Sequence, residues 1–119
     1  MKQASKIIYG VDISKKITPL LVRDAIIICF TQAHKEVLED IKEIENFKSN
    51  KDFEDLKLLN IKLIITKIFN DLHEDFNNPT KDSLIKVIEE LREYACNFRN
   101  QEIVDKHTQE IMLLVNKLE

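Results

Sequence analysis

The chain has 119 residues, 44% of them hydrophobic, with 18 basic and 21 acidic side chains giving a formal charge of -3. That length and apolar content suit one ordinary domain with a core of its own, and the near balance of mixed charges offers no broad positive field for a nucleic-acid backbone. One glycine and two prolines exclude glycine-rich phosphate loops and walls of hairpins, which need glycine wherever φ is positive or a backbone closely approaches a ligand.

Residues 1–17 read as an N-terminal arm ahead of a single four-helix domain spanning 18–119. The arm is locally basic, with Lys2, Lys6, Lys15 and Lys16 against Asp12. Its stretch KIIYGVDI is expected to form a short strand or an irregular clasp. A strand over 7–13 needs a pairing edge for its backbone groups, which the rest of the chain barely offers. A partner chain is one source of that edge; packing of the arm against the bundle is the other arrangement.

Thr18 followed by Pro19 marks the first helix start: the threonine oxygen can accept from a free amide of the first turn, where proline's missing donor is no loss. Ile27, Phe30, His34, Val37, Ile41 and Ile44 recur at three and four, so this helix is predicted from about 19 to about Phe47. A second helix, capped by Asn50, carries Phe53, Leu56, Leu58, Ile61, Ile65, Ile68, Leu72 and Phe76. NNPT is the clearest boundary, because Pro79 restricts Asn78 and Thr80 can cap the next helix. Leu84, Val87, Ile88, Leu91, Ala95 and Phe98 then stripe the third helix, and Val104, His107, Ile111, Leu114 and Leu118 the fourth. Short polar connections join neighbouring antiparallel helices. The predicted fold is therefore all-α, an antiparallel four-helix bundle with a short N-terminal arm or strand.

The first helix carries more apolar residues than one buried face needs. From Leu20 to Phe30 they cover most directions around its axis, and LLNIKLII in the second helix repeats the excess. Surplus apolar surface calls for a second cover. A homodimer is expected, with Leu20, Ile26 and Phe30 in or beside its interface, and another protein partner would meet the same need. Arg23 and Asp24 flank this region; adjacent residues on a helix do not face each other, so pairing with groups on another helix is expected. The apolar runs fall far below the roughly 20 residues that span a bilayer, so no membrane association is expected.

Three histidines lie near inward faces: His34 on the first helix, His73 late in the second and His107 early in the fourth. One imidazole from each of three helices could bind zinc with an open position, but their different heights along antiparallel helices weigh against convergence. EVLEDIKE places Glu36, Glu39 and Glu43 on adjoining turns and bears comparison with helical nucleotide pyrophosphohydrolases, in which clustered carboxylates hold magnesium and activate water. The complementary cluster would be Asp71 with Asp75, or Glu89 with Glu90 and Glu93. HTQE sets His107 and Glu110 on a common side of the fourth helix. The possible polar or metal site thus comprises His34, Glu36, Glu39, Glu43, His73 and His107. Magnesium or zinc enters only with the alternative function, a metal-dependent nucleotide hydrolase; otherwise no cofactor is implied.

Cys29 and Cys96 lack metal-ligand or redox spacing, and no signal-peptide pattern precedes them, so a reduced cytoplasmic setting is expected. Cys29 lies among isoleucines and Cys96 lies late in a helix, surroundings that do not favour a thiolate. The leading functional expectation is a small non-catalytic helical interaction or assembly protein that associates with itself.

Overall fold

The computed structural model describes residues 6–40, 51–95 and 101–118, leaving aside the side chains of 38–40, 51–60, 94 and 95. It is a four-helix bundle with an N-terminal β-hairpin: β1 (Ile7–Ile8), β2 (Val11–Asp12), α1 (Pro19–Asp40), α2 (Lys51–Asp71), α3 (Lys81–Ala95) and α4 (Gln101–Asn116). Among the described residues, no helix is long and apolar enough to cross a membrane.

The arm supplies its own pairing edge. β1 and β2 are antiparallel, with Ile7 opposite Asp12 and Ile8 opposite Val11. Tyr9 and Gly10 turn the chain at φ 50° and 86°, the positive values that a two-residue hairpin loop matching strand twist requires. A Cβ on Gly10 would meet nothing within 4 Å, so glycine serves the backbone angle there and not the available space. Ile8, Val11 and Ile17 join the same buried cluster as the helices.

Local chemistry sets the helix ends. Thr18 Oγ1 accepts from Leu21 N at 3.3 Å, while Ile17 and Val22, the positions of a hydrophobic staple around such a cap, are both buried. Thr80 and Ser83 cap α3 reciprocally, the Ser83 amide donating to Thr80 Oγ1 at 3.1 Å and the Thr80 amide to Ser83 Oγ at 2.9 Å.

The predicted stripe of the second helix runs past its observed end. α2 stops at Asp71 because His73 takes φ 57°. The Glu74 amide then donates to Phe69 O at 2.9 Å and the His73 amide to Asn70 O at 3.1 Å, the pair of bonds that closes a helix on a left-handed residue. Glycine is the usual occupant of that position. His73→Gly is expected to raise the unfolding free energy by about 0.5–1 kcal/mol, read as a higher urea midpoint; a lower midpoint would mean that the imidazole makes a contact worth more than the backbone relief.

Side-chain ties give the helix directions. Arg23, near the start of α1, meets Phe76 beyond α2; Lys81 Nζ, at the start of α3, donates to Leu118 O at 3.3 Å; and Arg92 Nε, late in α3, donates to Asp105 at 3.1 Å in α4. Together with the short α2–α3 connection these ties fix an up-down-up-down order. α1 packs against α2, α3 and most extensively α4, while the hairpin lies on α1 and α4.

The core contains Ile65, Phe69, Leu84, Ile88, Leu91, Ile111 and Leu114 with Val22, Ile26 and Phe30. Ile26 and Phe30, expected in or beside a dimer interface, are thus buried within the protomer itself. Leu20 stays at the surface, 44% exposed, with Leu21 at 43% and Ile28 at 38%. The capping of α2 by Asn50, the extension of α1 to Phe47, and the stripe positions Ile41, Ile44, Phe53, Leu56, Leu58, Ala95 and Phe98 lie outside the described residues or side chains.

Candidate functional site

Polar side chains converge where the hairpin crosses the seam between α1 and α4. Tyr9 stands at the hairpin turn, and its hydroxyl lies 2.5 Å from His107 Nδ1 and donates to Glu110 Oε2 at 3.2 Å. His107 and Glu110 are three apart on α4, so both reach the same phenol. The other ring nitrogen, Nε2, pairs with Glu36 Oε2 from α1. Cys29 lies beneath, buried, with Sγ donating to the His107 carbonyl at 3.3 Å.

The polar contacts run from Glu36 on α1 through His107 on α4 to Tyr9 in the hairpin, whose hydroxyl donates to Glu110 back on α4.

Neither the phenol nor the thiol at this site is set up as a nucleophile at ordinary pH. Both His107 nitrogens are engaged. Burial foremost, then the neighbouring Cys29 and Glu110, hold the Tyr9 hydroxyl well above the usual range of a phenol. The Cys29 thiol is pushed up to about 12, chiefly by burial; the Tyr9 hydrogen bond pulls it down, and the Glu110 and Glu36 charges add smaller upward pushes. Each stays neutral at ordinary pH. The arrangement is suited to holding the hairpin against two helices.

The remaining predicted site residues are dispersed. His34 is buried on α1, whereas His73 is exposed at the left-handed cap beyond α2. Glu36 is committed to His107; the side chain of Glu39 and the whole of Glu43 lie outside the described residues. Among the described residues no group of three or more His, Cys, Asp or Glu side chains could hold a metal ion. Tyr9 is not legible from sequence as a member of this site, because it stands 98 positions from His107 and no local spacing announces the pairing; only the shared side of His107 and Glu110 is.

A second polar cluster lies near the start of α1. Arg23 donates to its neighbour Asp24 through Nε at 3.1 Å and Nη2 at 2.8 Å. It also reaches across to Phe76, donating to the carbonyl through Nη1 at 2.9 Å, with the guanidinium 4.4 Å from the ring centroid. The expected pairing with groups on another helix is replaced by the adjacent pair with Asp24, which forms because the long guanidinium stem can fold back along the surface, and the reach across the chain goes to Phe76, past the end of α2.

The fold and site together define a small, mostly helical domain, a four-helix bundle with a hairpin locked across one seam. In comparisons with known proteins, no family model, no curated protein and no solved structure matches the chain.

Proposed function

We propose that this protein is a non-catalytic helical interaction domain that pairs with a second copy of itself through the outer face of α1. The observation that carries this reading is the exposure of Leu20, Leu21 and Ile28. With Asp24 they line two turns of one helical face. Arg23 already pairs with Asp24, so the single charge amid this strip is matched within its own chain and does not oppose apolar contact. A two-fold axis across the strip would let each copy cover the other. The non-catalytic part of the reading is supported by the engaged ring of His107 and by the raised phenol and thiol beside it.

A strip of this size fits a weak, reversible dimer, with dissociation on the order of ten to several hundred micromolar. Sedimentation velocity from about 10 to about 500 μM is expected to show a rising weight-average mass. The double variant Leu20→Glu, Ile28→Glu should remain monomeric while melting close to the wild-type temperature, since both positions are on the surface. A wild-type protein that stays monomeric across the whole range sinks the dimer.

A further inference from the structure

The hairpin is too small to hold itself together. Its strands have two residues each, and an isolated two-stranded hairpin is marginal in water even when longer. Docking holds it. Ile8 and Val11 are buried in the core cluster, and Tyr9 adds its hydroxyl contacts to His107 and Glu110. Tyr9 does this from a left-handed backbone position, which disfavours a side chain of its size. The chain leaving the hairpin toward α1 passes through exposed Ser14, Lys15 and Lys16 before Ile17 re-enters the core at the helix cap, so the three residues next to the hairpin are not packed and Ile17 anchors the helix side of the connection. The outer end of the polar lock is accessible to solvent, Glu36 having a 47% exposed side chain.

From these features we propose that residues 6–13 form a strap that lifts off the α1/α4 seam as a unit, with Tyr9 as its lock, while the four helices stay folded. Lifting the strap removes Ile8, Val11, the partly buried Ile13 and one phenol from the core cluster, a small fraction of the buried core. Opening of such a segment lies at the low end of a protein's local unfolding free energies. What it uncovers first is Cys29, fully buried against Tyr9 in the closed form. The thiol is the reporter of the motion.

Alkylation by iodoacetamide, with the Cys29 peptide read by mass spectrometry separately from that of Cys96, tests this on the full chain. In the wild type the labelling rate of Cys29 is expected to rise with urea at no more than about a quarter of the slope that global unfolding shows, because only a small area is exposed on opening. Tyr9→Phe, which removes the lock, should raise the rate about tenfold at zero urea. Gly10→Ala strains the turn without touching the lock and should raise it about threefold to tenfold with the same shallow slope. A wild-type rate whose urea slope equals the full unfolding slope means that Cys29 is reached only through global unfolding, and overturns the strap. So does a shallow slope that neither variant accelerates, because opening would then bypass the hairpin.

Discussion

Ile65→Asp is expected to remove a large part of the protein's stability, and Leu63→Asp, two residues away on the same helix, to leave it almost unchanged. Ile65 is 0% exposed in the middle of the core, whereas Leu63 is 58% exposed. An aspartate at 65 loses the burial of a large aliphatic side chain and places a carboxyl group among apolar neighbours, a combined loss of roughly 4 kcal/mol or more. Domains of this size are stable by about 5–15 kcal/mol, so the variant loses a large share of that margin and melts far below the wild type. At 63 the new carboxylate stays in water, and the expected change is within about 0.5 kcal/mol. Ile27→Asp, at another buried position, should fall on the damaging side. Thermal unfolding followed by circular dichroism separates these cases. An Ile65→Asp melt within a few degrees of wild type would place that side chain outside the core.

The second large effect is alkaline. The Cys29 thiol is pushed up from its ordinary value near 9 to about 12 in the folded protein, mainly by burial. The unfolded chain releases this proton as pH passes 9, while the folded chain keeps it. The stabilising contribution is therefore complete below pH 9 and is lost as pH rises toward 12. At roughly 1.4 kcal/mol for each pH unit in that window, about 2–3 kcal/mol disappears by pH 11. Tyr9, also raised by burial, acts in the same direction above the usual range of a phenol, though its partial exposure keeps its share smaller. Urea unfolding at pH 8 and pH 11 measures the loss. Cys29→Ala, which has no thiol to titrate, should fall distinctly less between the two pH values even though its stability at pH 8 is lower. Equal losses in wild type and variant would mean that Cys29 does not carry the alkaline sensitivity.

These effects depend on different depths of information. The damage expected at Ile65 comes from a three-four repeat that can be read directly from the sequence, because the helical period places Ile61, Ile65 and Ile68 on one side of α2. The starts at Thr18 and Thr80 are equally local, since an oxygen and an amide within one turn settle them whatever packs nearby. The end of α2 is harder to read. His73 occupies a left-handed position that glycine would have announced, and the apolar residues Leu72 and Phe76 continue the helical spacing past it. The hairpin has a local signal in the Tyr-Gly pair, but tyrosine at a positive φ is uncommon enough that the arm reads as a short strand or an irregular clasp.

Sequence alone determined the four-helix architecture and the helix starts at Thr18 and Thr80, because caps, proline and helical period act between residues no more than four apart. Only the tertiary structure decided which apolar directions of α1 are covered. Ile26 and Phe30 go inward because α1 packs against α2, α3 and α4, while Leu20, Leu21 and Ile28 are left over on a side that no described element covers. The same holds for the lock at the seam. Tyr9, Glu36 and His107 are brought together across 98 and 71 positions, and pairings of that range are set by how four helices and a hairpin share one core, for which no short stretch of residues contains the instruction.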